Sequence, residues 1–118
     1  LCINFYLIFA NMKNEFLINW NTQLKKGLLP FYVLQALEKK ESYGYDLIQE
    51  LKVATGVEIK EGTIYPLLIR LMKDNLLTSK WIEQSSGIPR KYYQISPEGK
   101  KILREMKRII QLTSLNIK

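Results

Sequence analysis

The side chains in this sequence best suited to chemistry are cationic and phenolic. Arg90 and Lys91 stand next to Tyr92 and Tyr93, and a run of small residues at Gly62, Thr63 and Pro66 is followed by Arg70 and Lys73. Cations beside small and aromatic side chains suit a polyanion: they can hold phosphates, or pair bidentately with guanine in a major groove. Catalysis has far less to work with. The 118 residues include no histidine and a single cysteine, Cys2. The commonest general base and metal ligand are thus missing, and the usual zinc spacings cannot be written. The sequence also lacks paired carboxylates around a substrate-like site, a glycine-rich phosphate loop and a nucleophile elbow. We therefore expect no enzyme activity, no metal and no cofactor.

The charge balance points the same way. The formal net charge is +7, from 18 Lys and Arg against 11 Asp and Glu. Between residues 80 and 108 the cations Lys80, Arg90, Lys91, Lys100, Lys101, Arg104, Lys107 and Arg108 face only Glu83, Glu98 and Glu105. Such a local excess is the footprint of a nucleic acid or an anionic membrane face, or else a solvated basic surface. With 47% hydrophobic and 25% charged residues the chain is ordinary for a globular protein, and its length allows one domain. A lone cysteine permits no internal disulfide, which fits the reducing cytoplasm where we expect the protein. The apolar stretch LCINFYLIFA at residues 1–10 is too short to span a bilayer as a helix. No basic run precedes it, and Lys13 and Glu15 soon interrupt it, so no membrane partner is expected. Residues 1–20 form an N-terminal extension whose role is not legible.

Periodicity then places the cations on elements. Residues 22–37 are helical, with Leu24, Leu28, Leu34 and Leu37 on a wide apolar face. Pro30 requires either that the regular helix start near Leu29 or that it kink there. A polar turn at 38–42 leads to Ser42, expected as the N-cap of a helix at 43–54, with Leu47, Ile48 and Leu51 inward and Gly56 just past its end. A third helix is predicted at 62–75. At 100° per residue Ile64, Leu67, Leu68, Leu71 and Met72 share a core-facing arc. Gly62, Thr63, Pro66, Ile69, Arg70 and Lys73 lie opposite, with Tyr65 on the flank; Pro66 is expected early enough that its missing N–H costs little. The period then drops to two: strands at 77–83 and 91–95 flank the turn QSSGIP. Ser96 caps a last helix, with Pro97 and Glu98 in its first turn. Its apolar side carries Ile102, Leu103, Met106, Ile109 and Ile110. The expected fold is mainly α with a small β-hairpin, a winged helix-turn-helix over 21–95 followed by a helix over 96–118.

These residues resemble the PadR family of transcriptional regulators. The likeness runs from NTQLKKGLLPFYVL at 21–34 through SYGYDL at 42–47, GTIYPLLIRL at 62–71 and PRKYY at 89–93 to Glu98-Gly99-Lys100. It departs from the family at Ile88, where the wing tip usually has Gly or Pro, and at Pro30. The resemblance implies that Tyr43, Thr63, Tyr65, Arg70, Arg90 and Lys91 lie at or near double-stranded DNA; Gly62, Pro66 and Lys73 are expected beside them from their place on the outer face of the third helix. It also implies a homodimer, with Ile102, Leu103, Met106, Ile109 and Ile110 on the partner subunit, as in the family's short-tailed branch. It leaves room for a small hydrophobic effector at the dimer centre, although this helix is aliphatic and has no Trp. The expected function is a sequence-specific DNA-binding repressor acting on a near-palindromic operator. Two rivals stay open at this point: a winged-helix protein–protein interaction module that uses no DNA, and a membrane-surface protein using residues 1–10 with the basic face of the last helix.

Overall fold

The computed structural model describes residues 13–117; the apolar stretch at 1–10 lies outside them. The first helix, α1 (Glu15–Gly27), is opened by Asn14, whose Oδ1 accepts the Leu17 N–H at 3.1 Å. It crosses the expected boundary at 20/21, so residues 15–20 are the start of a helix continuous with the body. A second helix, α2 (Leu29–Lys39), begins at once, with Pro30 in its first turn. Pro30 thus sits where no helical N–H is needed, and the chain breaks at Leu28 instead of bending through one long helix.

Ser42 and Tyr43 form a short strand, β1 (Ser42–Tyr43), which the sequence did not suggest. Tyr43, not Ser42, occupies the N-cap of α3 (Gly44–Thr55), and it supplies no side-chain capping bond. The reason is non-local. Ser42 pairs with Tyr93 and Tyr43 with Tyr92, so the ladder draws this backbone into the sheet. At its other end α3 closes as expected, on Gly56 at φ 69°, whose N–H donates to the Lys52 carbonyl at 3.0 Å.

The next helix, α4 (Glu61–Lys73), starts with Lys60 as its N-cap. Pro66 therefore lies beyond the first turn and does cost a bond, the one the Gly62 carbonyl would otherwise accept. Gly62 is exposed, so solvent can take that carbonyl. Strands β2 (Leu77–Ile82) and β3 (Arg90–Ile95) pair antiparallel from Leu77↔Ile95 to Ile82↔Arg90, and β1 completes the sheet in the order β1-β3-β2. Among the described residues the architecture is thus five helices and a three-stranded antiparallel sheet, the last helix being α5 (Pro97–Leu115).

One core joins these elements. Val33, Leu34 and Leu37 from α2 meet Leu47, Ile48 and Leu51 from α3, Ile64, Leu68 and Leu71 from α4, and Leu77, Tyr93 and Ile95 from the sheet. Leu103 of α5 belongs to the same core and is fully buried, with Ile102 and Met106 packed against it. This corrects the expected dimer stripe at Leu103. Helical spacing put Leu103 on the right face, but the first turns of α5 lie on their own subunit, tied to α2 by Lys107 Nζ 3.2 Å from Glu38 Oε1. Ile109 stays 62% exposed, and Leu112 and Leu115 beyond it are exposed as well.

The seat of α5 is built with little slack. The Ser96 hydroxyl donates to the Asn75 carbonyl at 2.7 Å and accepts the Gly99 N–H at 2.9 Å, while the Ser96 N–H donates to the Leu76 carbonyl. Gly99 is required here because a Cβ would collide with that same Leu76 carbonyl oxygen. Asn75 turns the chain into place at φ 61°, a conformation Asn tolerates better than most residues. Ser96→Ala removes both hydroxyl bonds and should cost about 1 kcal/mol, read as a lower midpoint in urea with an unchanged slope.

Candidate nucleic-acid interface

Helix α4 sorts its residues much as its periodicity predicts. Ile64, Leu67, Leu68 and Leu71 are buried and Met72 is half-buried, whereas Gly62, Thr63, Pro66, Ile69, Arg70 and Lys73 are exposed. Glu61 in the first turn and Arg70 and Lys73 in the last complement the helix dipole. The outer stripe has no bulky aromatic on it, so another backbone can approach closely.

Tyr65, on the flank, joins α4 to the sheet. Its hydroxyl and the Tyr93 ring each come within 3.4 Å of where a Cβ on Gly44 would stand. A tyrosine from α4 and one from β3 thus both approach the backbone at the first position of α3, at distances where a Cβ would make ordinary contact. The Tyr65 phenol is pushed above its ordinary pKa by burial first, then by the Glu61 carboxylate and by Tyr43. The Tyr93 phenol is raised likewise, by burial and then by Tyr65. Both remain neutral hydroxyls at physiological pH.

The wing carries the remaining cations. The Arg90 guanidinium lies 4.6 Å from the centre of the Tyr43 ring, which in turn stands 6.0 Å from Tyr92 and 6.4 Å from Tyr45. Lys91 Nζ sits 5.7 Å from the ring centres of both Trp81 and Tyr93. Adjacent strand residues point to opposite faces, so these neighbours in sequence are separated in space. Arg90 rests on Tyr43 on one face of the sheet, and Lys91 lies between Trp81 and Tyr93 on the other. Cation–ring contacts at exposed sites are worth roughly 0.5–1 kcal/mol each, which favours these positions by a factor of about two to five.

Two residues that the sequence did not single out belong to this surface. Trp81 is 68% exposed and stands directly across the ladder from Lys91; the alternation of β2 with β3 was the available signal. Lys26, at the end of α1, lines a cleft with Gly27, Leu29 and Pro30, opposite Thr63, Pro66, Leu67 and Arg70 of α4. No local pattern announces that contact, because it is made by tertiary packing. A larger depression lies between α2 and α3, lined by Tyr32, Gln35, Ala36, Val53 and neighbours, and none of the candidate DNA-facing residues borders it. Among the described residues no group of His, Cys, Asp and Glu could hold a metal ion, and no helix is long and apolar enough to cross a membrane.

The model of the transcriptional regulator PadR-like family matches residues 33–105, from within α2 to within α5. The chain belongs to the PadR-like family of transcriptional regulators. It is 30% identical over 89 residues to the transcriptional regulator Rv3488 of Mycobacterium tuberculosis, covering 75% of this chain and 81% of that one. The crystal structure of a PadR family transcriptional regulator from Eggerthella lenta superimposes with a TM-score of 0.77 at 32% identity, over 87% of this chain and 89% of that chain. A PadR-like transcription factor from Bacteroides fragilis does so with a TM-score of 0.71 at 37% identity, over 84% and 95%. The three-stranded sheet with α2 to α5 is thus the PadR winged-helix DNA-binding fold. The stripe on α4 and the tyrosine-braced wing are two of the parts of this PadR-like regulator that present cations.

Proposed function

We propose that this regulator is a cytoplasmic homodimeric repressor that binds a near-palindromic operator and occupies it against transcription. In each subunit α4 enters a major groove, with Gly62, Thr63, Tyr65 and Pro66 approaching the bases and Arg70 and Lys73 reaching base edges and phosphates. Tyr43, Arg90 and Lys91 follow the backbone beside the groove. The observation that carries this reading is the approach of Tyr65 from α4 and Tyr93 from β3 to the same point at Gly44, which brings the two cation-bearing elements side by side.

The homodimer rests on the apolar surface left after the subunit core is filled. Ile109, Leu112 and Leu115 at the end of α5, together with Phe16, Leu17 and Trp20 on α1, are large and exposed. Side chains of this size left in solvent on two helices mark an association surface, and a second copy would place two recognition helices about one helical turn of DNA apart. A small hydrophobic effector seated at that seam would relieve repression by favouring a different separation of the two helices.

The test is a fluorescence-anisotropy titration against the DNA upstream of the protein's own coding region and against a scrambled duplex, each at two salt concentrations. Preferential binding to the upstream DNA that weakens steeply with salt is expected. Equal binding to both duplexes would remove the claim of a specific operator. Absence of binding at either salt would leave a protein-binding winged helix as the better description.

A further inference from the structure

We infer that the cleft between the last turn of α1 and the outer stripe of α4 is a seat for a backbone phosphate of the bound duplex, with Lys26 as its principal ligand. The inference deepens the DNA-binding reading and rests on it. Lys26 and Arg70 lie on opposite walls, Thr63 adds a hydroxyl, and Leu29, Pro30 and Pro66 supply an apolar lining. No carboxylate borders the cleft.

Five cations elsewhere in the fold are each compensated by a nearby carboxylate. Lys40 is 3.6 Å from Glu50, Lys52 is 3.3 Å from Glu58, Lys80 is 3.1 Å from Glu41, and Lys107 and Arg108 pair with Glu38 and Glu105. Neither Lys26 nor Arg70 forms an ion pair with any described residue. Two uncompensated charges thus converge on one concavity beside the helix that reads DNA. The neighbouring Lys25 is different: it is buried, its ammonium lies 5.9 Å from the Tyr32 ring, and desolvation lowers its pKa. Of the two adjacent lysines only Lys26 is turned outward.

Its ligand is a phosphate and not a base edge on chemical grounds. An ammonium on a flexible stem is a point charge without the fork that discriminates bases, and it suits a phosphate oxygen. The Cβ positions of both Gly27, beside it, and Gly62, on α4, have no other heavy atom within 4 Å, so a sugar–phosphate chain can lie against the backbone at each side. A duplex whose major groove holds α4 carries a phosphate strand along that helix, and this cleft follows the stripe of Thr63, Pro66 and Arg70.

The experiment compares the full chain with Lys26→Ala, Lys26→Arg and Lys39→Ala over a salt series, using the upstream duplex and its scrambled counterpart. Lys39 is an exposed lysine at the far end of α2, about 15 Å along the helix from Leu29. Lys26→Ala should weaken both duplexes by the same factor and reduce the slope of log affinity against log salt by about 0.9. Its deficit should therefore shrink about eightfold for each tenfold rise in salt. Lys26→Arg should retain the wild-type slope, and Lys39→Ala should match wild type throughout. Wild-type affinity and slope in Lys26→Ala would overturn the phosphate seat while leaving DNA binding intact, as would a Lys26→Arg protein as weak as Lys26→Ala. Failure of the wild-type chain to bind either duplex would instead overturn DNA binding itself, and the seat with it.

Discussion

Replacing Leu103 by alanine should lower the stability of each subunit by about 2–5 kcal/mol, the range for emptying a fully buried leucine site. Leu103 is wholly inaccessible and packs into the core formed by α2, α3, α4 and the sheet. Truncation removes its transfer energy and leaves a cavity that α5 cannot readily close, because Ser96 and Gly99 hold the start of the helix against residues 75 and 76. Leu112→Asp is the complementary variant. That side chain is 58% exposed, so a charge there should leave the subunit folded while dissociating the proposed dimer. Urea unfolding and sedimentation velocity on both proteins separate the two effects. Unfolding should also depend on protein concentration in the wild type, since association stabilises the folded state by mass action. A Leu103→Ala protein of undiminished stability would remove that residue from the core. A Leu112→Asp protein of unchanged mass would remove the end of α5 from the subunit seam.

Arg70→Ala should weaken operator binding by roughly 1–3 kcal/mol, or about 5- to 150-fold. Arg70 lies in the last turn of α4, exposed, and bears on both the groove-facing stripe and the cleft shared with Lys26. Its guanidinium has five donors in a rigid fork, so a base edge and a phosphate can both be within its reach. Affinity measured across a panel of single-base operator variants distinguishes the two contributions. Loss confined to one base-pair position measures base reading, and loss spread evenly over all duplexes measures phosphate contact. An Arg70→Ala protein with unchanged affinity for every duplex would mean that α4 does not present this face to DNA.

Much of this architecture could be read from local signals, and its exceptions have a common cause. Ser96 as a cap with Pro97 behind it, Gly56 as a left-handed helix stop, and the buried arc of α4 all follow from residues within a few positions of one another. Ser42 carries the same capping chemistry as Ser96, yet it lies in a strand because a partner fifty residues away, Tyr93, claims its backbone. Leu103 shows the equivalent limit for burial. Periodicity says which side of a helix is apolar but not whether its own subunit or a second one covers it. For the candidate interface, α4 and the wing were legible from residue type and spacing. The separation of Arg90 from Lys91 onto opposite faces was implicit in strand alternation, whereas the approach of Lys26 to α4 has no local signature at all.

The bracing of Arg90 against Tyr43 has a consequence for how such regulators can diversify. β1 pairs with β3 at Tyr92 and Tyr93, so the base of the wing is fastened on both edges before its tip begins. The connecting residues 83–89, with Gly87 at φ 82°, bear none of that fastening beyond the ends of the strands. Insertions or deletions there would lengthen or shorten the wing's reach without displacing Arg90. Duplicated copies of such a protein could therefore drift toward different operators by loop length alone, keeping the same helix and the same anchor.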